Sequence, residues 1–415
     1  MQGGDCSESP SRCALPKRQA LMALFRYAGL AYPWLARPGW QDAAGCAIQI
    51  GTLVATLSAT LAAAIAPIRN RTMRYFDDFK QGDVHEYGLY DVTAEEIIGF
   101  AREFDPQPFH LDEAAASASL LGGLATSGWH TAAISMRLHC QHLLKDTSTI
   151  GSPGVPEMKW IKPVLKGFQV HLRTEIAMAR GSQSRPGMGI LELHTSMLNQ
   201  HGTVLMTNRG ITLMATRVAS KDLRLYDPQA IARSPLWQKP QDILANPASA
   251  DDNEGLLTGW LDDIVIGRTI DLGTHHFESA AITRFAAKWD PQLFHVDPEA
   301  ARKSVYGGQT ASGWHTAAVG MGRHVRTRQT YLDEGRRRGH PDTPRGPSPG
   351  FRDMKWLEPV FAGDTIHYYQ THAEKRRTSR PGWGMLMNHY EGINQHGRKV
   401  YEYMSSGLWP MRDKG

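Results

Sequence analysis

Cysteine is scarce in this chain of 415 residues. Only four cysteines are present, and three of them (Cys6, Cys13 and Cys46) precede the part of the sequence that occurs twice. Because Cys140 alone lies in the duplicated part, the sequence excludes a disulfide framework there. This usage is typical of a reducing compartment, and we expect a cytoplasmic protein.

A strong net charge and nucleotide-binding motifs are also missing. The formal net charge is +5, which is too mild to indicate nucleic acid or an anionic membrane as a partner. The sequence has no Walker motif, no glycine-rich dinucleotide-binding motif and no zinc-finger spacing. We therefore expect no metal and no separate cofactor.

What the sequence does contain is a long internal repeat. The string SGWHTAA occurs at 127–133 and again at 312–318. Each copy follows an Asp-Pro-Gln-x-x-His string, which begins at Asp105 and at Asp290, and the offset between copies is 185 residues. A unit of about 150 residues is far longer than a solenoid repeat, so we interpret it as a duplicated domain.

The aligned parts define the domain organisation. The two repeats occupy residues 73–216 and 259–411. Residues 217–258 are rich in Pro, Asp and Ala with little periodicity, which is typical of a linker. The second repeat carries extra residues around 331–349, which we interpret as a loop rich in Gly, Pro and Arg.

Residues 1–72 have no counterpart in the second half and admit three interpretations. Their uncharged run at 43–68 is long enough to span a bilayer as an anchor, or it belongs to a cleaved targeting segment. We favour an extension upstream of the functional domain, with Met73 as the natural start, because the alignment of the halves begins directly after Met73. On this interpretation we expect no association with a membrane.

The order of elements within a repeat predicts an α+β fold. Thr93 is a good N-cap with Glu96 three residues later, and the helix must end near Phe104 because Asp105 precedes Pro106. A long apolar helix begins at SGWHTAA, and alternating strand-like runs follow it. We expect a central helix wrapped by an antiparallel sheet in each repeat, with the repeats forming an intramolecular pseudo-dimer. Further homo-oligomerisation stays open.

The Asp and His of the repeated string are the first candidates for chemistry. Asp105 and His110 are expected on a loop after a helix, and Asp290 and His295 repeat them. A His beside a carboxylate can act as a general base near neutral pH. The alternative is structural, with the Asp bonding the turn and the His packed, and the spacing alone does not decide between the two.

Gly128 and Gly313 open the long helices, 18 residues after each His. Free N–H groups at a helix N-terminus favour negative charge, and a glycine lets a ligand approach the backbone. The alternative is a glycine that the turn itself requires. For His130 and His315 we expect a hydrogen bond to the adjacent loop rather than a catalytic role.

Basic residues cluster beside the two Ser-Arg-Pro-Gly turns, which contain Arg185 and Arg380. One interpretation is that they bind the phosphates of coenzyme A, and the other is that they are solvated surface charges. We retain Arg185 and Arg380 as candidate substrate-binding residues.

With these residues in view, the chain resembles the MaoC-like hydratases, the R-specific enoyl-CoA hydratase family of the hot-dog fold. Members carry a Phe-Ala pair followed by Asp, Pro, His and Asp, which here are Phe100-Ala101, Asp105, Pro108, His110 and Asp112. The second copy has Leu in place of the Pro. The resemblance covers nearly everything outside the N-terminal extension and the linker.

The resemblance implies a double hot-dog fold and the reversible addition of water to a 2-enoyl-CoA, giving a 3-hydroxyacyl-CoA. In the family, the Asp and His activate one water, and the backbone N–H of the glycine polarises the thioester. Those positions are here Asp105, His110 and Gly128, and again Asp290, His295 and Gly313. Coenzyme A would then be part of an acyl-CoA substrate.

The sequence departs from the family where a Trp follows the glycine. We expect Trp129 and Trp314 to reshape the acyl pocket and to contact substrate. Both Asp–His pairs are intact, so we expect two active sites. The alternatives are a hot-dog thioesterase, which would release free coenzyme A, and a non-catalytic module that binds an acyl-CoA or a protein partner.

Overall fold

The structure is a computed structural model that describes residues 73–218, 223 and 236–412. The N-terminal extension at 1–72, with its uncharged run, lies outside the described residues, as does much of the segment 219–235. Over the described ranges, no helix combines the length and the apolar character needed to cross a membrane.

The first repeat begins with a strand and four helices. Thr93 caps the first helix by accepting a hydrogen bond from the Glu96 N–H at 3.2 Å, as predicted, and that helix ends at Phe104. A short helix then contains His110, so this residue lies on one helical turn and not on the open loop expected from the sequence. The elements are β1 (Val84–Asp91), α1 (Ala94–Phe104), α2 (Pro108–Leu111), α3 (Glu113–Ala118) and α4 (Gly128–Gln141).

Five strands complete the first repeat. The three longest alternate buried and more exposed positions, which is the pattern of strands with one face on a core. They are β2 (Thr149–Gly151), β3 (Gly154–Trp160), β4 (Gln169–Gly181), β5 (Met188–Asn199) and β6 (Val204–Ala215).

Helix and strand are also present ahead of residue 259, where the sequence places the start of the second repeat. A two-residue strand pairs in parallel with the first strand of that repeat, and buried Leu256 and Leu257 lie on a short helix. Residues 243–258 of the interpreted linker therefore contribute to the second core. These elements are β7 (Ile243–Leu244) and α5 (Gly255–Thr258).

The second repeat follows the order of the first. Its long helix continues to Arg337, so part of the predicted loop at 331–349 is helical instead. The elements are β8 (Thr269–His276), α6 (Ser279–Trp289), α7 (Leu293–Val296), α8 (Pro298–Lys303), α9 (Gly313–Arg337), β9 (Gly350–Trp356), β10 (Thr365–Arg377), β11 (Trp383–Asn394) and β12 (Lys399–Pro410).

The strands of both repeats join in one sheet with the order β1-β4-β5-β6-β3-β9-β12-β11-β10-β8-β7, and β2 pairs with β6. The repeats meet at the antiparallel pair β3–β9. Gly154 and Gly350 begin these two strands with φ of 157° and 142°. A Cβ on either glycine would lie 2.2 or 2.1 Å from a carbonyl oxygen of the facing strand, so only glycine permits this close pairing.

The long helices α4 and α9 lie against the sheet and against each other. Each buries the small and apolar residues of its SGWHTAA start, including Trp129 and Trp314, in one core cluster that contains residues of both repeats. Helix α1 contacts α9, and α6 contacts α4, so each repeat also packs helices against its sister. This is the predicted α+β pseudo-dimer.

Candidate active site

Asp105 and His110 form the first dyad at the end of α1. The His110 Nε2 lies 3.8 Å from Asp105 Oδ2, and both residues are buried. The His110 Nδ1 lies 2.9 Å from the Ala125 carbonyl oxygen. Because a carbonyl oxygen only accepts, Nδ1 carries the proton, and the lone pair of the neutral ring is on Nε2 towards Asp105.

Burial sets the proton affinities of this dyad. It raises the pKa of Asp105, although the His110 charge and hydrogen bonds from Gln107 and Ser127 oppose the rise. Burial also lowers the pKa of His110, against the attraction of Asp105. The imidazole is therefore neutral near pH 7 and able to accept a proton.

Asp290 and His295 form the second dyad with the same arrangement. The His295 Nε2 lies 3.4 Å from Asp290 Oδ2, and Nδ1 lies 2.7 Å from the Thr310 carbonyl oxygen. In both dyads a Gln side chain donates to Oδ1 of the Asp, from Gln107 at 2.9 Å and from Gln292 at 2.8 Å.

The carboxylate of the second dyad has two further donors. The Ser312 hydroxyl donates to Asp290 Oδ2 at 2.6 Å, and the Cys140 thiol, from the helix of the other repeat, donates to Oδ1 at 3.4 Å. Burial raises the pKa of Asp290, but the His295 charge and the bonds from His295, Ser312 and Gln292 outweigh it and lower the pKa overall.

Gly128 and Gly313 are the first residues of α4 and α9, after the N-caps Ser127 and Ser312. A Cβ on Gly128 would lie 2.4 Å from the Trp160 indole. A Cβ on Gly313 would lie 2.2 Å from the indole of the equivalent Trp356. The packed indole thus requires glycine at this helix start, where the N–H groups have no partner within the helix.

A cavity of about 380 Å³ adjoins the first dyad, and we call it the first cavity. Gly128 and Trp129 line it from the first repeat. The opposite wall comes from the second repeat, through α9, β11 and β12, and includes His324, Arg328, Tyr390 and Tyr403. The site is therefore composite.

The second cavity, of about 280 Å³, adjoins Asp290 and His295. Gly313 and Trp314 line it from the second repeat. Its opposite wall comes from α4, β5 and β6 of the first repeat and includes Ser135, His139, Thr195 and Asn208. Each dyad thus lies in a cavity whose opposite wall is supplied by the other repeat.

The candidate substrate-binding residues have different places. Trp129 lines the first cavity and stacks on Phe351 at 5.4 Å between ring centroids, and Trp314 lines the second cavity. Arg185 is exposed in the β4–β5 turn and lines the second cavity. Arg380 is exposed in the matching β10–β11 turn and lines neither of the two cavities.

His130 and His315 do not form the loop hydrogen bonds expected from the sequence. Each is buried and stacks on a phenylalanine, His130 on Phe100 at 4.6 Å and His315 on Phe285 at 4.4 Å between ring centroids. Burial lowers the pKa of each to about 3, so both rings are neutral. Within the described part of the chain, both ring nitrogens of His130 and the Nδ1 of His315 are buried without a hydrogen-bond partner, so these histidines serve packing.

One group of possible metal ligands occurs among the described residues. It consists of His389, Glu391 and Glu402, whose ligand atoms lie within 4.8 Å of one another. Both carboxylates already pair with Lys399, at 2.5 and 2.8 Å. None of the three lines either cavity, so this group takes no part in the candidate sites.

Reasoning from the sequence missed the walls that each site takes from the other repeat. Arg328, Tyr390 and Tyr403 are far in sequence from Asp105, and no local motif marks them. The sequence does carry a signal, because the two repeats differ at the wall positions. Tyr390 on β11 pairs with Tyr403 on β12, whereas the equivalent pair on β5 and β6 is Thr195 and Asn208.

Comparisons with known proteins agree with this architecture. The family model described as MaoC like domain matches residues 82–189 and 263–384, together more than half of the chain. The protein YdeM of Bacillus subtilis is 33% identical over 124 residues, which is 30% of this chain and 86% of YdeM.

Solved structures extend the likeness to both repeats. A MaoC domain protein dehydratase from Chloroflexus aurantiacus superposes with a TM-score of 0.63 at 15% identity, over 83% of this chain and 99% of that one. Rv0216 from Mycobacterium tuberculosis, which has a double hot-dog fold, gives 0.57 at 14% identity over 81% and 98%. The chain therefore belongs to the family of MaoC-like domain proteins and has the double hot-dog fold.

Proposed function

We propose that this protein is an acyl-CoA hydratase, or dehydratase in the reverse direction, that adds water to a 2-enoyl-CoA to give a 3-hydroxyacyl-CoA. One repeated observation carries the proposal. In each of two cavities a buried His Nε2 lies 3.8 or 3.4 Å from an Asp carboxylate, next to the glycine that begins a long helix.

The geometry supports a single-water mechanism. A water between His110 Nε2 and Asp105 would give one proton to the imidazole while its oxygen attacks C3 of the enoyl group. Electron density then moves to the thioester oxygen, where the N–H of Gly128 stabilises the enolate. Return of the proton from the dyad to C2 completes the addition, so that water is consumed and no other reactant is needed.

General principles set the range of rate enhancement expected from the dyad and from the glycine N–H. General acid–base catalysis supplies about 10²–10⁴-fold, and one donor to a developing oxyanion supplies about 10²–10³-fold. Because Asp290, His295 and Gly313 repeat the arrangement, both sites are proposed to be active.

The test replaces both catalytic imidazoles in one protein. His110→Ala combined with His295→Ala should abolish hydration of a crotonyl-type thioester, followed as the loss of enoyl absorbance. His194→Ala is the matched control, because His194 is exposed and pairs with Glu192 away from the dyads. Undiminished hydration by the double variant would rule out the mechanism.

The same assays separate the alternatives. Release of free coenzyme A thiol without loss of enoyl absorbance would indicate a thioesterase. Tight binding of acyl-CoA without turnover, unaffected by the double substitution, would indicate a non-catalytic binding module.

A further inference from the structure

Arg328 projects from α9 into the first cavity, whose wall it shares with Asp105 and His110. It lies beyond the point at which the equivalent helix α4 ends, so only the second repeat has helical structure here. Its guanidinium carbon lies 3.8 Å from the centroid of the Trp409 ring. This stacking orients the planar guanidinium and leaves its edge available for a ligand.

The described part of the chain places no counter-charge on Arg328. Within residues 73–218 and 236–412, no carboxylate pairs with it, and its buried Nε has no hydrogen-bond partner. Burial and the nearby charge of Arg345 hold the pKa of Arg328 well below its usual range. Arginine nevertheless stays charged in proteins, and a half-buried guanidinium whose buried Nε has no partner is costly to leave unpaired, so this position favours an anionic ligand.

The position of Arg328 indicates which anion. Arg328 lines the same cavity as Asp105 and His110, so the guanidinium lies at the cavity in which the reaction would occur. An anion there would belong to the acyl group, because that group has to lie in this cavity beside Asp105 and His110 for the proposed reaction. A planar guanidinium matches a carboxylate with two parallel hydrogen bonds.

The second cavity lacks this feature at the matching positions. The counterparts of Arg328 and Trp409 are Leu143 and Met214, which are 4% and 0% exposed and belong to one apolar cluster. The arginine that lines the second cavity, Arg185, is exposed in a turn. An arginine on the long helix that lines the cavity is thus found at the first site and not at the matching position of the second.

We infer that Arg328 binds a carboxylate at the far end of the acyl chain, so that the first site accepts dicarboxylic enoyl-CoA thioesters while the second site accepts uncharged ones. This inference rests on the proposed hydratase function. Two sites in one chain would then act on two classes of substrate.

The experiment separates the sites and varies only the end of the acyl chain. His295→Ala leaves the first site intact, and His110→Ala leaves the second. Each variant is assayed with 2-enoyl-CoA thioesters in pairs of equal length, ending in a methyl or a carboxylate. We expect the His295→Ala protein to prefer the carboxylate in kcat/KM and the His110→Ala protein to prefer the methyl.

Arg328→Met in the His295→Ala background should lower kcat/KM for the carboxylate substrates by about 10–100-fold, the range of a hydrogen bond to a charged group. The loss should lie mainly in KM, and the methyl substrates should be unaffected or improved. Arg328→Lys should retain part of the preference. Arg337→Met is the matched control, because Arg337 is exposed on the same helix and pairs with Glu334.

The outcomes distinguish this inference from the proposed function. A first site that prefers methyl-ended chains, or an Arg328→Met effect equal on both classes, would overturn the inference while hydration itself stands. If no thioester is hydrated by any variant, the hydratase proposal fails. Calorimetric binding of a saturated carboxylate-ended acyl-CoA then still tests Arg328, since unchanged affinity in Arg328→Met would also refute it.

Discussion

The two candidate sites agree in their polar centres and differ in their walls. In both, the His Nδ1 lies at a backbone carbonyl and a Gln donates to the Asp Oδ1. These contacts all arise within residues 105–125 of the first repeat or residues 290–310 of the second. The walls are supplied by the sister repeat, where a stacked Tyr390–Tyr403 pair replaces Thr195 and Asn208. Duplication has therefore let the cavity walls diverge while the contacts of the two dyads are retained.

The polar centres also differ in how the carboxylate is stabilised. Each carboxylate accepts hydrogen bonds from a Gln and a Ser side chain, and Asp290 accepts a further one from the Cys140 thiol. The pKa of Asp105 is raised, chiefly by burial, whereas that of Asp290 is lowered because its partners outweigh burial. Two copies of the same sequence motif can thus give carboxyl groups whose pKa values are shifted in opposite directions.

The largest expected effect comes from disabling one dyad at a time. His110→Ala should reduce turnover at the first site by about 10²–10⁴-fold, because the proposed base for the attacking water is lost. The second site should continue unchanged, and His295→Ala should do the reverse. Steady-state rates over a substrate panel measure both, and identical residual activity profiles for the two variants would contradict distinct sites.

A smaller effect should follow from adding a methyl group at the helix start. Gly128→Ala places a Cβ 2.4 Å from the Trp160 indole, so the ring or the helix must shift. We expect a loss of stability of about 1–3 kcal/mol from overpacking and a loss of turnover at the first site of about 10²–10³-fold if the N–H moves. Chemical denaturation and the His295→Ala background provide the two measurements.

A second substitution separates packing from catalysis in this prediction. Trp160→Phe combined with Gly128→Ala reduces the clash, so stability should recover more than turnover does. Gly313→Ala with Trp356→Phe is the matched pair in the second repeat. Wild-type stability and activity in Gly128→Ala alone would contradict both roles of the glycine.

Much of the fold and of the polar centres is readable from the sequence because they depend on local signals. Thr93, Asp105 and the Gly128 helix start are fixed by capping and by the residue before proline, which act over a few residues. The parallel strand β7 escaped prediction because its two residues gain their partner only through tertiary pairing. Arg328 escaped for the same reason, since it meets the first dyad only after the repeats have paired.

Replacing the carboxylate of each dyad with an amide should change the stability of the protein in opposite directions. Because the pKa of Asp105 is raised in the folded state, its contribution is favourable below about 3.8 and is lost as pH rises through the folded pKa. Asp105→Asn should therefore stabilise the protein at pH 7. Asp290 has a lowered pKa, so its contribution is present above about 3.8 and is lost as pH falls through the folded pKa.

Asp290→Asn should accordingly destabilise the protein at pH 7. Both changes should lie within the usual range of single substitutions, about 0.5–3 kcal/mol. Thermal melts of the two variants and the wild type, recorded across acid to neutral pH, measure them. Shifts of the same sign for both variants would refute the electrostatic difference between the sites.

The smallest expected effect concerns the thiol that reaches across the repeats. Cys140 donates to Asp290 Oδ1 at 3.4 Å, and the residue at the matching position of the second repeat is Val325. Cys140→Val removes a weak donor, so the pKa of Asp290 should rise and the acid limb of the second site should move to slightly higher pH. The energy involved is about 0.5 kcal/mol, the low end for a hydrogen bond.

The pH profile of kcat/KM in the His110→Ala background detects the shift, and the His295→Ala background should show none. A shift in the first site instead would mean that the thiol acts through the shared core and not through its bond to Asp290.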